Sequence, residues 1–182
     1  MAKITELQTC KALLSETWLS AYDEMAISFL GKNAKIFLQQ AYIRAAENWI
    51  KVLDEKYSLK VNRDCKTLKE AVESYINLGV DGGLFKDSSD FVLKEIDDKC
   101  ALKISVDKCP YVDACSFLLK ERNFGEKNIA CPRIGCFRGA AEFLLGKKCG
   151  YKITKVSPNE GCEGVVYDTT GACKDKILKY FK

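Results

Sequence analysis

The sequence contains no histidine, and this absence removes several familiar kinds of site at once. Without an imidazole there is no Ser-His-Asp triad, no Cys-His nucleophilic pair and no histidine-ligated metal or haem centre. Charged residues interrupt the apolar runs before they reach membrane-spanning length, so no transmembrane helix is predicted. Neither a phosphate-binding loop nor a dinucleotide-binding glycine motif occurs.

The charge balance is nearly even, since 29 basic and 25 acidic residues give a net charge of +4 over 182 residues. No basic block is present, so no nucleic-acid partner is expected. The first six residues lack the apolar core of a signal peptide, and we expect a cytoplasmic protein with no membrane partner. The length suits a single domain over 1–182, divided by composition into a helical region (1–88), a cysteine-rich α+β region (89–173) and a C-terminal tail (174–182).

Apolar spacing predicts that the first half is helical. Apolar residues recur every three or four positions from Leu7 to Phe29, and Gly31 ends that run. Between Ala34 and about Tyr57 the apolar stripe is broader, which is typical of a helix packed on two sides, by the domain core or by the face of a homodimer. Thr67-Leu68-Lys69-Glu70 has the form of a capping box and opens a third helix that runs to Gly79.

The second half changes to the two-residue period of strands. Four segments read in this way, at 91–96, 101–106, 151–156 and 165–167. Helices at roughly 110–122 and 132–146 lie between the two strand pairs. The predicted class is therefore α+β, with N-terminal helices packed on a small antiparallel sheet and two helices between its hairpins. Gly135 and Gly139 allow another backbone to approach closely, and helix–sheet packing is the expected reason.

Ten cysteines are the strongest chemical signal in the sequence. In a reducing compartment they are not expected to form mainly disulfides. Cys109 and Cys131 each precede a proline, and because proline suits the first position of a helix, each cysteine is predicted to cap one. The positive end of the helix dipole would lower the pKa of such a thiol and favour the thiolate.

Soft-metal ligation is one explanation for this clustering. Thiolates would hold zinc or an iron–sulfur cluster, and the candidate ligands are Cys109, Cys115, Cys131, Cys136 and Cys162. Cys136 lies about 140° around the helix from Cys131, so it joins only if the first helical turn is distorted. Two alternatives stay open at this point: buried free thiols that belong to the core, or a redox pair.

The order of these elements resembles the 4-vinyl reductase domain family. That family has a hairpin followed by a cysteine, a short helix, a C-x3-G-x3-G helix and a cysteine that leads the final strand. Here the matching residues are Cys109, the run Cys131-x3-Gly135-x3-Gly139, and Cys162. The cysteine-marked C-terminal half also resembles that of a related group, the 2-amino-thiazoline-4-carboxylate hydrolase-like proteins. The family's further zinc-binding cysteine falls near Thr154 in this sequence, where none is present, so another cysteine would have to replace it.

The resemblance implies a small-molecule-binding sensor or carrier with a cysteine-ligated metal and an apolar or aromatic ligand. No catalytic residue is assigned. The alternative is a metal- or thiol-dependent enzyme, a hydrolase or reductase, acting on a small heterocyclic substrate. Four aromatic residues either line the ligand pocket or belong to the core, namely Phe117, Phe124, Phe137 and Phe143.

Overall fold

The structure is a computed structural model that describes residues 17–96, 98–107, 109, 111–120, 129–157 and 161–180. Its helices are α1 (residues 17–30), α2 (Ala34–Tyr57), α3 (Leu68–Asp81), α4 (Val112–Lys120), α5 (Pro132–Leu145) and α6 (Gly171–Tyr180). Its strands are β1 (Phe91–Ile96), β2 (Ala101–Val106), β3 (Cys149–Lys155) and β4 (Cys162–Asp168). The predicted α+β class is confirmed.

The four strands form one antiparallel sheet in the order β1-β2-β4-β3. The two predicted hairpins, β1–β2 and β3–β4, are present, and they meet along the β2–β4 pair. In that pair Val106 at the end of β2 lies opposite Cys162 at the start of β4. This register places Cys162 beside the chain that leaves β2 towards Cys109.

Helices cover both faces of the sheet. On one face α3 and α5 pack against Leu102, Ile104 and Val166, and α2 lies along α5. The centre of this core is Phe137, whose ring is fully buried and meets Phe91 edge to face at 5.5 Å. On the other face Ile177 of α6, with Ala101, Val165 and Cys100, forms a smaller cluster. The sheet is therefore covered by α3 and α5 on one face, and by α6 at one end of the other.

The α3 helix begins as the sequence predicts. The Thr67 hydroxyl accepts a hydrogen bond from the Glu70 amide at 3.2 Å, and the Glu70 carboxylate accepts one from the Thr67 amide. These reciprocal bonds satisfy two amides that the first helical turn leaves unpaired. The capping box is confirmed, and α3 ends at Asp81, close to the predicted Gly79.

The first helix differs from the prediction in which face it buries, and the second buries only part of its broad apolar stripe. Within one chain α2 buries a single stripe, while Ile36 and Phe37 on its other side are exposed. In α1 the face with Trp18 and Phe29 is exposed and Asp23 is buried. Periodicity identifies the residues that share a face, but tertiary packing decides which way that face points. Leu7, Cys10 and Leu14 of the predicted first helix lie outside the described residues.

Close packing at the two glycines of α5 is between helices, not between helix and sheet. A Cβ on Gly139 would stand 2.7 Å from the Cα of Ile43 in α2. A Cβ on Gly135 would stand 3.0 Å from the side chain of Tyr42 in the same helix. The predicted close approach is confirmed, and its partner is α2.

One disulfide links the sheet to the C-terminal helix. It joins Cys100, between β1 and β2, to Cys173 in α6, across 73 residues of chain. The other seven cysteines among the described residues are free thiols. Most cysteines are therefore unpaired, as expected, but spacing alone did not predict this pair. Across the described segments, no helix has the length and apolar character needed to cross a bilayer.

Candidate functional site

A cavity of about 480 Å³ opens where β1, the end of β2 and the start of α5 meet. We call it the outer cavity. Its apolar walls come from Leu84, Phe85, Phe91 and Val112. Four charged residues also line it, namely Lys86, Asp90, Asp107 and Arg133. A mostly apolar cavity of this size with a few polar groups is typical of a small-molecule site.

A second space, which we call the thiol cavity, adjoins the first. Four cysteines line it: Cys109, Cys115, Cys131 and Cys162. Its volume is about 10 Å³, room for about one water molecule or ion and too little for an organic ligand. Cys109 and Cys162 line both cavities and thus form a shared wall.

Different elements bring these thiols together. Cys109 follows β2, Cys115 lies on α4, and Cys162 begins β4. Cys131 caps α5 as predicted, with Pro132 behind it, and its sulfur accepts a hydrogen bond from the Ile134 amide at 3.4 Å. Since α4 begins at Val112, Cys109 precedes that helix by three residues and is not its cap. All four cysteines of the thiol cavity are among the candidates predicted from the sequence, although Cys109 does not have the predicted position at a helix cap.

Cys136, the fifth predicted ligand, lies apart from the other four. It is one full turn into α5, and its thiol lies beside the Tyr75 side chain of α3. The start of α5 is regular, so the distortion that would bring Cys136 round to Cys131 does not occur. Cys136 packs against the cores on either side of it.

Burial controls the thiol chemistry, contrary to the expectation from the helix dipole. Burial raises the pKa of Cys131 to about 12, and the neighbouring amides of Ile134 and Arg133 lower it by less than that. Burial likewise raises the pKa of Cys109 and of Cys115 above their ordinary values. The free energy needed to remove a thiolate from water exceeds the stabilisation that one helix N-terminus provides. The neutral thiols are therefore favoured.

The four thiols are the type of ligand that a soft metal prefers, but their side chains are not arranged around a common point. In the described ranges, no three Cys, Asp or Glu side chains converge closely enough to hold a metal ion. Glu163, the nearest acid of the thiol cavity, is already paired with Lys103 at 2.8 Å. As the described side chains stand, the four thiols line one small space without forming a closed set of metal ligands.

The aromatic residues of the outer cavity are not those considered from the sequence. Phe137 is core, and Phe143 lies beneath Lys51 and Arg63 at the other end of α5. Phe124 and the side chain of Phe117 lie outside the described residues. Phe85 and Phe91 line the cavity instead. Both come from the segment that enters β1, where no short-range pattern distinguishes a cavity wall from a core position.

Arg133 is the residue that sequence reasoning missed. It is the second residue of α5 and is only 4% exposed. Its guanidinium lies over the Phe85 ring at 4.4 Å and near Tyr111 at 5.2 Å. Its Nε has no hydrogen-bond partner among the described residues. Because an arginine in a first helical turn usually reaches solvent, nothing in the sequence indicated a buried charge.

Comparison with known proteins supports the fold alone. The chain matches no protein-family model and no curated protein sequence. It is similar to the phenol-responsive sensory domain of the transcription activator PoxR, solved with phenol, at a TM-score of 0.54 and 11% identity over 91% of this chain and 81% of that one. It is also similar to trafficking protein particle complex subunit 3 from Naegleria fowleri, covalently bound to palmitic acid, at a TM-score of 0.57 and 16% identity over 87% of this chain and 96% of that one.

Proposed function

We propose that this protein binds a small apolar or aromatic molecule in the outer cavity, as a sensor or a carrier. The observation that carries the proposal is the cavity itself, about 480 Å³ with apolar walls from several elements. Two proteins that share the fold add support, since one was solved with phenol and the other is bound to palmitic acid. Phe85 and Phe91 would contact the apolar body of the ligand.

A neutral fluorescent probe tests this proposal directly. N-phenyl-1-naphthylamine should gain fluorescence on binding, and phenol and other apolar molecules should displace it. Val112→Phe fills the cavity from α4 and should weaken probe binding by at least about tenfold. Val92→Phe makes the same change at an exposed position of β1 and should leave binding unchanged. No probe binding, or equal binding by both variants, would refute the proposal.

The zinc or iron–sulfur site stays a prediction. Four thiols line a space that would hold one ion, and this supports the prediction. Against it, no three ligand side chains among the described residues lie close enough together to hold a metal. Anaerobic purification with elemental analysis and a visible spectrum tests it: about one zinc per chain, or a brown cluster, is expected. Cys131→Ser and Cys162→Ser should lose that metal, while Cys65→Ser, a buried cysteine elsewhere, should keep it. Metal-free protein with titratable thiols would overturn the prediction.

One observation favours the enzyme alternative, a thiol-dependent reaction on a small heterocyclic substrate. Cys109 and Cys162 face the cavity in which a substrate would lie. Burial raises the pKa of Cys109, however, and this opposes its action as a thiolate nucleophile. Binding without turnover is therefore the preferred function. Product formation that is lost in Cys109→Ser or Cys162→Ser would reverse that preference.

We also propose that a second copy of the chain covers the exposed apolar face of α1. Trp18, Tyr22, Met25 and Phe29 follow helical spacing and are all exposed, and Ile36 and Phe37 of α2 are exposed as well. Sedimentation of the wild-type protein should give a dimer. Phe29→Glu should give a monomer, while Val92→Glu, at an exposed position of the sheet, should stay dimeric. A wild-type monomer at high concentration would refute the dimer.

A further inference from the structure

Arg133 carries a buried positive charge for which the described residues supply no anion. None of the ion pairs formed between described side chains includes it. Asp90 and Asp107 line the same cavity, but neither lies within the 4.0 Å of an ion pair with the guanidinium. Buried charges are normally paired, because leaving water is costly for an ion.

The surroundings of Arg133 hold its orientation without neutralising its charge. Phe85, Tyr111 and Phe91 lie 4.4, 5.2 and 5.9 Å from the guanidinium carbon, which favours cation–π contact with three rings. The N-terminal end of a 14-residue helix adds positive potential, because Arg133 is in the first turn of α5 and that turn contains no acid. Arg133 is therefore held among three rings at the wall of the outer cavity, with no described carboxylate paired to it.

The chemistry of the walls defines the anion that would fit. A guanidinium matches the two oxygens of a carboxylate, which it can bind through parallel N–H donors. A dianion such as a phosphate monoester is disfavoured, because Asp90 and Asp107 face the same space. The apolar walls require an apolar body on the molecule that bears the charge.

We propose that the outer cavity binds a small carboxylic acid with an apolar body, and that the carboxylate pairs with Arg133. This inference rests on the proposed binding function and names the class of its ligand. Aromatic acids and medium-chain fatty acids share the required chemistry. The expected ligand therefore carries one carboxylate at one end and a hydrocarbon ring or chain at the other.

Matched pairs of acid and amide test the inference on the wild-type protein, so the result does not depend on whether a variant folds. Binding of 3-phenylpropanoate is compared with 3-phenylpropanamide, and octanoate with octanamide, by displacement of N-phenyl-1-naphthylamine and by calorimetry. Each amide keeps the shape of its acid and loses the charge. The acid should bind at least about tenfold more tightly than its amide in at least one pair, and the pair with the larger ratio identifies ring or chain.

Variants of Arg133 then test whether this residue causes the preference for acids over amides. Arg133→Met keeps the length and apolar contacts of the side chain and should abolish the preference for acid while amide binding persists. Arg133→Lys keeps the positive charge but loses the two parallel N–H donors of the guanidinium. It should retain part of the preference for acid over amide. Arg138→Met, on the same helix but paired with Glu142, should behave as wild type.

The outcomes separate the two proposals. If the neutral probe binds and amides displace it as well as acids do, the carboxylate inference is overturned and the binding function stands. If acids are preferred equally by wild type and Arg133→Met, the inference is overturned as well. If neither the probe nor any of the four compounds binds, both proposals fail.

Discussion

Replacing Asp23 with asparagine should stabilise the protein at neutral pH and flatten its dependence on pH. Asp23 is only 5% exposed and accepts a hydrogen bond from the Tyr42 hydroxyl at 2.8 Å. Burial raises the pKa of Asp23 to about 6, and the hydrogen bond from Tyr42 lowers it by less. Asparagine has the same shape, and its Oδ1 can still accept the Tyr42 bond, so only the charge is removed.

The direction in which the free energy of unfolding changes with pH follows from proton binding to Asp23. In the unfolded chain the carboxyl group has a pKa of roughly 3.9. Between about pH 4 and pH 6 the folded state holds more protons on Asp23 than the unfolded state, so the free energy of unfolding falls as the pH rises through that interval. The pKa difference of about two corresponds to about 3 kcal/mol, which is fully lost above pH 6. Asp23→Asn should therefore match wild type near pH 4 and exceed it by up to about 3 kcal/mol at pH 7.5.

Urea unfolding from pH 4 to pH 8 measures this difference. Other groups titrate in the same range, so the informative quantity is wild type minus variant at each pH. Asp64→Asn, an exposed carboxylate in the loop before α3, should give a constant difference near zero. An Asp23→Asn curve that runs parallel to wild type, or lies below it at neutral pH, would refute the argument that burial raises the pKa of this carboxyl.

Two further predictions concern stability. Gly139→Ala should lower the free energy of unfolding by about 2 kcal/mol, since its methyl would stand 2.7 Å from the backbone of Ile43. Gly135→Ala should cost less, since its methyl would stand 3.0 Å from the Tyr42 side chain and overlap less. Equal losses in urea unfolding would contradict this. Reducing the Cys100–Cys173 disulfide frees a loop of 73 residues and should cost up to about 4 kcal/mol, so an unchanged melting temperature in reductant would contradict it.

Local signals account for most of the fold. The Thr67 capping box, the Cys131-Pro132 helix start and the alternation in β2 each specify an element through short-range geometry, and each appears where the sequence places it. The pairing of hairpins into a single sheet also follows, because strands that alternate polar and apolar residues must bury one face. Short-range patterns are thus sufficient when the determining contacts are near in sequence.

The orientation of α1 could not be predicted in this way. Its apolar stripe reads as a buried face, yet Trp18 and Phe29 are exposed and Asp23 points inward to Tyr42. A carboxyl becomes tolerable in that position because a hydroxyl from α2, 19 residues away, meets it. Burial of a polar group depends on a partner from another element, and composition and period carry no information about that partner.

The site shows the same division between local and long-range information. Four of the five candidate cysteines line one cavity, because Cys109, Cys131 and Cys162 stand at the ends of elements that come together at one end of the sheet. The environment of Arg133 depends on Phe85 and Phe91, which lie more than forty residues earlier in the sequence and pack over its guanidinium. Since Cys109 and Cys162 form the wall between the cavities, oxidation or metal binding at the thiols would reshape the space beside Arg133. Ligand selectivity should therefore be measured on protein whose thiol and metal content is known, because one wall serves both sites.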